Sequence, residues 1–196
     1  MGRHREFDEN KALEAALSVF WEKGYEGASF DDLSKATGVA RPGLYAAFGN
    51  KEALFLKAVD LYESRYLGFM SDALAEPTSR KVVERILQGS AALHTRDSRH
   101  PGCLGLNGAL ACSEDAESIR VELVRRRAAS QLALRRRLEL AQREGDLPQS
   151  AKCAVLAAFV MAVSQGMAVQ AKAGASRRAL EALASHALST WPSQSD

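Results

Sequence analysis

Apolar residues recur with the period of an α-helix along most of the 196-residue chain, and this periodicity constrains the fold most strongly. In the segment 8–23 they stand at i, i+3, i+4 and i+7, which makes one apolar stripe: Leu13, Ala16, Leu17 and Phe20. Alternating runs bounded by turns, the pattern of strands, do not occur in the sequence. The pattern therefore predicts an all-α fold of about nine helices.

Glycine, proline and polar clusters divide the chain into segments. After three short helices that end near Asn50, we expect helices over 51–76, 79–95, 103–112, 116–143, 150–172 and 176–191. Residues 1–50 are expected to form one domain and residues 51–196 a helical C-terminal domain, joined by the helix that begins near Lys51. The most apolar stretch, 154–163, is shorter than the ~20 residues of a membrane span, so no membrane partner is expected.

The segment from Ser29 to Leu54 has the spacing of a helix-turn-helix. Ser29 is a good N-cap with Asp32 three residues later, Gly38 provides a tight turn, and a second short helix follows. The apolar side chains expected to lock these helices onto the first one are Leu33, Ala36, Val39, Leu44 and Phe48. In such a motif the second helix enters the major groove of DNA. The N-terminal domain is therefore predicted to be a three-helix DNA-binding domain.

The residues left on the outer face are the candidates for DNA contact. Arg41 is the one long donor at the start of the second helix and can pair with a guanine edge. Ser29 and Lys51 each begin a helix, where backbone N–H groups favour a phosphate. The predicted set is Ser29, Arg41, Pro42, Gly43, Tyr45, Ala46 and Lys51. Residues 1–57 contain eight basic and nine acidic side chains, so binding depends on where charges lie rather than on bulk charge.

This segment resembles the DNA-binding domain of the tetracycline-repressor family. The matching positions are Ser29, Gly38-Val39, Leu44-Tyr45, Phe48 and Lys51-Glu52-Ala53-Leu54, and later Gly102-Cys103-Leu104-Gly105-Leu106-Asn107 resembles one branch of such regulators. The sequence departs from the pattern at Ala40, where a capping serine is common, and at Ala46-Ala47, where larger side chains are frequent. The resemblance implies a transcriptional repressor that binds double-stranded operator DNA and is released by a small-molecule effector.

The segment 150–172 is apolar on most of its circumference, so several of its sides must be covered. With the last helix it predicts a symmetric four-helix interface in a homodimer, although the central helix of a monomer is an alternative. The predicted interface residues are Phe159, Ala162, Gly166, Val169, Leu180, Leu183, Ala187 and Trp191. Two copies would read half-sites about 34–36 Å apart, or a multiple of that, on a near-palindrome.

The resemblance also implies an effector pocket inside the C-terminal domain. Polar residues on otherwise apolar helices are its candidate lining: Tyr66, His94, Asn107 and Gln165. Each also has an ordinary structural explanation, such as a surface histidine or an asparagine bonded to the backbone. No cofactor is expected.

Other classes of function have weaker support. A metal- or redox-responsive regulator is the main alternative, and its ligands would come from His94, His100, Cys103 and Cys112, whose spacing matches no strong zinc pattern. The arginines of 125–127 and 135–137 suit RNA or a membrane surface, but consecutive residues point in different directions around a helix. No enzyme motif is found. Three cysteines without a C-x-x-C pair favour a reducing cytoplasm.

Overall fold

The computed structural model describes residues 7–110, 113 and 116–192, except for the side chains of 108–110. These residues form helices and no strand, which confirms the predicted all-α fold. The helices in chain order are α1 (Glu9–Gly27), α2 (Phe30–Thr37), α3 (Arg41–Phe48), α4 (Lys51–Tyr66), α5 (Gly68–Leu74), α6 (Ser79–His94), α7 (Leu104–Leu110), α8 (Glu117–Arg143), α9 (Cys153–Lys172) and α10 (Arg177–Ser189).

The tenth helix arises because the long helix expected over 51–76 is broken at Leu67. This residue has φ −99° and ψ 8°, and it ends α4 and begins α5. Gly68 follows directly and has a low helix propensity, which favours the break. The ring of Phe69 then packs onto α6 at Gly89, where a β-carbon would overlap the ring.

The first hydrophobic core joins α1 to α4. Phe20 of α1 and Phe55 of α4 are fully buried, and their rings meet edge to face with centres 5.1 Å apart. The same core includes Leu93 and Leu104 from the C-terminal half of the chain. The first core therefore extends past residue 50, because α4 packs on α1 instead of acting only as a connection.

The second core is built from α5, α6, α8, α9 and α10. Leu134 and Leu138 of α8 pack there with Leu180 of α10, all three fully buried. Trp191 closes this core after α10, and its indole N–H donates to the hydroxyl of Ser79 at 3.3 Å.

The apolar helix α9 is longer than the stretch 154–163 that the sequence singles out. By length and composition it could cross a membrane, with a mean hydropathy of 1.7 and 28% of that window buried within the chain. The estimate from 154–163 was too short because the apolar character continues to Lys172. Core helices of soluble proteins meet the same criteria of length and composition, so this finding alone is weak evidence for a membrane.

Candidate nucleic-acid interface and effector cavity

The α2–α3 segment forms the expected helix-turn-helix. Gly38 ends α2 with φ 70°, a left-handed conformation that glycine adopts without strain. The N-cap residue of α3 is Ala40, which provides no side-chain hydrogen bond, as the missing serine predicts. The expected locking residues are buried with one exception, because Ala36 is exposed. The expectation for Ala36 was wrong, because Leu33 is the one residue of the eight-residue α2 whose side chain is buried in the core.

Arg41 is exposed at the start of α3 and lies against two aromatic rings. Its guanidinium carbon is 4.1 Å from the centre of the Phe30 ring and 5.3 Å from that of Tyr45. Arg41 Nη2 also donates to the Tyr45 hydroxyl at 2.9 Å. Stacking on aromatic faces holds a guanidinium in place and leaves edges free to donate. Because Tyr45 accepts from Arg41, the phenolic O–H of Tyr45 remains available to a phosphate.

Other predicted contact residues differ in their exposure. Pro42 and Ala46 are exposed on α3. Gly43 is half-buried, and a β-carbon there would stand 2.8 Å from Val39 Cγ1, so this glycine allows close packing of α3 on the turn before it. Pro42 and Ala46 therefore lie on the free surface beside Arg41, whereas Gly43 faces partly inward.

Ser29 is exposed, and its hydroxyl is already engaged in a capping box. The Ser29 hydroxyl donates to Asp32 Oδ2 at 2.7 Å and accepts from the Asp32 N–H at 3.0 Å. Lys23, and then the Ser29 groups, hold the pKa of Asp32 well below its ordinary value. A phosphate contact through the Ser29 hydroxyl would therefore require this hydrogen bond to be exchanged.

Lys51 is half-buried at the first position of α4. Its Nζ lies 4.7 Å from the centre of the Tyr25 ring, and burial lowers the pKa of Lys51 below its ordinary value. Asn50 caps the same helix by accepting from the Ala53 N–H at 2.8 Å. The lysine thus lies close to a helix N-terminus, which is a favourable position for a phosphate.

A cavity of about 110 Å³ lies among α4, α5, α6, α7, α8 and α9. Its walls are mostly apolar, with Phe69, Leu93, Leu123 and Met161 among the lining residues. Of the predicted effector residues, His94 and Gln165 line this cavity. The structure thus brings together two of the four polar candidates, which lie on α6 and α9 and are 71 positions apart in sequence.

The other two predicted effector residues lie elsewhere. Tyr66 lines a separate polar pocket between α1 and the α6–α7 segment, together with His100. Asn107 does not line the cavity, and its buried Nδ2 has no hydrogen-bond partner among the residues described. Neither position could be separated from the other two by polarity alone, since all four are polar residues on apolar helices.

The predicted ligands for a metal are not gathered in the described part of the chain. Within those residues no group of three His, Cys, Asp or Glu side chains is placed to hold a metal ion. Cys112, one of the residues considered for that role, lies outside the described residues. Cys103 instead accepts a hydrogen bond from the Tyr62 hydroxyl at 3.6 Å.

A hydrogen-bonded connection between the cavity and α1 was missed by the sequence analysis. The Gly102 N–H donates to the carbonyl of His94 at 3.1 Å, and the Trp21 indole N–H donates to the carbonyl of Gly102 at 3.2 Å. Beside it, His100 bonds to Ser18 at 2.7 Å and to Asp97 at 2.9 Å. The Trp21–Gly102 and Ser18–His100 bonds join residues 81 and 82 positions apart, and no sequence signal at these positions could have indicated them.

The predicted dimer residues fall into two groups. An exposed group consists of Phe159, Ala162, Gly166, Val169 and Leu183, with Phe159 40%, Leu183 46% and Val169 52% exposed. Leu180, Ala187 and Trp191 are buried within their own chain. The second core already covers these three side chains, so they are not available to an interface with a partner. The first group forms an apolar face on α9 and α10.

The comparison with known families agrees with this architecture. The description "Bacterial regulatory proteins, tetR family" matches residues 12–58, and "Tetracyclin repressor-like, C-terminal domain" matches residues 80–187, more than half of the chain. The chain belongs to the TetR family. It is therefore a DNA-binding transcription regulator and not an enzyme, as the helix-turn-helix predicted.

Several known transcription regulators are similar to this chain over nearly their whole length. The Escherichia coli (strain K12) transcriptional repressor ComR is 33% identical over 97% of this chain and 92% of its own length, and the E. coli repressor BdcR is 29% identical over 95% and 90%. A solved structure of a cysteine mutant of the TetR regulator CifR with 26-base-pair operator DNA is 37% identical, with a TM-score of 0.91 over 97% of this chain and all of the other.

Proposed function

We propose that this TetR-family protein is a cytoplasmic homodimeric repressor that binds a near-palindromic operator and is released from it by a small-molecule effector. The observation that carries the proposal is the hydrogen-bonded connection from the cavity wall at His94, through Gly102, to Trp21 of α1. A ligand that alters the cavity wall acts through this connection on the helix that supports α2 and α3. The repressor names of ComR and BdcR support the direction of control.

For the DNA contact, we assign base recognition to Arg41 and backbone contact to Tyr45 and Lys51. Arg41 lies at the N-terminal end of α3, which is the end of a recognition helix that meets base edges. Tyr45 is exposed beside Arg41, Lys51 is half-buried at the first position of α4, and both have donors for phosphate oxygens. Few positive charges surround this surface, so a single domain binds weakly and two domains are needed.

For the dimer, we assign the apolar face of α9 and α10 to a second copy of the chain. The three large side chains of this face, Phe159, Val169 and Leu183, are each 40–52% exposed, an unfavourable arrangement in water for so apolar a helix pair. Burial against the same face of a partner gives a closed, symmetric interface. The buried Leu180, Ala187 and Trp191 support this face from below.

The test combines selection of DNA from a random pool with light scattering of the purified protein. We expect a near-palindrome and the mass of a dimer. Phe159→Glu should give a monomer that binds the selected site at least tenfold more weakly, whereas Val121→Glu, at a residue of α8 that is 52% exposed, should do neither. A native monomer, or a selected site without two-fold symmetry, would contradict the proposal.

A further inference from the structure

The size of the cavity restricts its occupant. Its volume is about 110 Å³, and an apolar cavity of about 150 Å³ in another protein is large enough for benzene. Phe69 forms part of the wall and is held on α6 by the absence of a side chain at Gly89. The occupant is therefore a molecule with an apolar body close to one six-membered ring in size.

One of the two arginines that line the cavity, Arg126, is paired with carboxylates. Arg126 Nη1 donates to Asp60 at 2.7 Å and to Glu63 at 2.8 Å, and its Nε donates to Glu122 at 2.7 Å. Arg125, and then Arg126, lower the pKa of Glu122 to about 2, so this carboxylate is ionised at neutral pH. Arg126 is therefore fully paired and does not attract an anionic ligand, whereas Arg127, which also lines the cavity, has no ion pair among the described residues, so an anionic probe is part of the test.

His94 provides the polar contact. The residue lines the cavity, is 4% exposed, and its Nδ1 has no partner among the residues that the structure describes. Burial lowers the pKa of His94 and outweighs the carbonyl groups of Gly102 and Ser164, which act in the opposite direction. The imidazole is therefore neutral. Since carbonyl groups accept only from an N–H, we assign the ring proton to Nε2, which makes Nδ1 an acceptor.

We propose that the cavity binds an uncharged molecule about the size of one aromatic ring, with one hydrogen-bond donor that is accepted by Nδ1 of His94. This inference rests on the proposed regulation by an effector and specifies the chemical class of that effector. A buried acceptor without a partner carries a free-energy cost, and a donor on the ligand removes that cost. The mostly apolar walls exclude more heavily hydrated molecules.

Three probes of similar size separate the possibilities: phenol, toluene and benzoate. Binding to the full-length protein at pH 7.5 is measured by calorimetry and by ligand-observed NMR. We expect phenol to bind about fivefold more tightly than toluene, which corresponds to one hydrogen bond, and benzoate to bind at least tenfold more weakly than phenol. Tightest binding by benzoate, equal binding of phenol and toluene, or binding of none of the three would each overturn the proposal.

Two variants locate the binding in this cavity. His94→Leu should remove the preference for phenol and leave toluene unaffected within about twofold, whereas His186→Leu, at an exposed histidine of α10, should change neither. Gly89→Ala should displace the Phe69 ring into a new position and weaken all binding about tenfold. The control Gly27→Ala, at the end of α1 and outside the cavity lining, meets only the Lys23 β-carbon at 3.6 Å and should have no effect. Unchanged phenol binding by both cavity variants would exclude this site.

The same samples separate this proposal from the function it rests on. Operator affinity is measured without any probe, by anisotropy of labelled DNA. If operator binding is intact and benzoate is the ligand that releases the DNA, regulation by an effector stands and the proposed chemical class is wrong. If the probes bind as expected but leave the operator complex unchanged, the cavity inference stands and its role as the release site fails.

Discussion

The helix-turn-helix and the effector cavity differ in how far apart in sequence their contacts lie. In the helix-turn-helix, Ser29 bonds to Asp32 and Arg41 to Tyr45, three and four residues apart. In the cavity, the wall residues come from six helices, and its connection to α1 joins Trp21 to Gly102 across 81 residues. Local contacts make the DNA-binding segment readable from sequence, whereas the cavity depends on how distant helices pack.

The largest effect is expected in the helix-turn-helix, where the contacts are local. Arg41→Ala should weaken binding to the selected operator by about 1–3 kcal/mol, roughly ten- to hundredfold, and should remove the preference at one base per half-site. The measurement is selection from a random pool followed by titration. Lys35→Ala, at an exposed lysine of α2, is the control and should keep the sequence preference. An unchanged preference in Arg41→Ala would place base recognition elsewhere on α3.

The next largest effect is expected from the long-range connection between Trp21 and Gly102. Trp21→Phe removes the indole donor to Gly102. It should reduce the coupling free energy between phenol binding and operator binding by about 1 kcal/mol or more, the lower end of typical coupling between sites. Trp191→Phe is the matched control, because it also removes a buried indole hydrogen bond but in the second core. Anisotropy with and without phenol measures both. Equal loss of release in the two variants would contradict a specific connection through Trp21.

A change in stability should follow from loss of the α2 cap. Ser29→Ala removes the acceptor of the Asp32 N–H and should lower the free energy of unfolding by about 1 kcal/mol. Thermal and urea unfolding measure this difference. Ser185→Ala, in the middle of α10, removes a hydroxyl without a capping role. It should change the free energy of unfolding by less than about 0.5 kcal/mol. A smaller effect of Ser29→Ala than of Ser185→Ala would exclude the cap as a source of stability.

A smaller effect is expected from the ring beneath Arg41. Phe30→Leu removes the aromatic face 4.1 Å from the guanidinium and should weaken operator binding by about 0.5–1 kcal/mol. The same change in an Arg41→Ala background should have no further effect on base preference, because the group being positioned is then absent. Additive losses in this double-mutant cycle would mean that Phe30 acts on the packing of α2 and not through Arg41.

The smallest effect concerns acid stability. The pKa of Asp32 is lowered in the folded protein by Lys23 and then Ser29, so the ionised carboxylate stabilises the fold above its ordinary pKa of 3.8. This contribution should be lost as the pH falls below that value towards the folded pKa. Asp32→Asn should therefore flatten this part of the stability curve, measured by urea unfolding from pH 5 to pH 2.5. A parallel curve for the variant would assign the acid dependence to other carboxylates.

The sequence by itself determined the class of fold, the helix-turn-helix and the apolar character of α9, because helix period, capping residues and a turn glycine act over a few neighbouring positions. It also placed His94 and Gln165 among the candidates for the cavity lining. It could not distinguish them from Tyr66 and Asn107, because polarity on an apolar helix does not reveal which side faces a cavity.

Only the tertiary structure decided where the first core ends, which apolar residues of α10 are already covered, and how the cavity connects to α1. The break at Leu67 is sufficient to turn Phe69 onto Gly89, and this placement depends on a helix about 20 residues away. Likewise, Leu180 and Leu183 have the same chemistry and lie on the same helix, but only Leu180 is buried by the chain itself. Burial is a property of the packed neighbours, which the local pattern of a sequence does not contain.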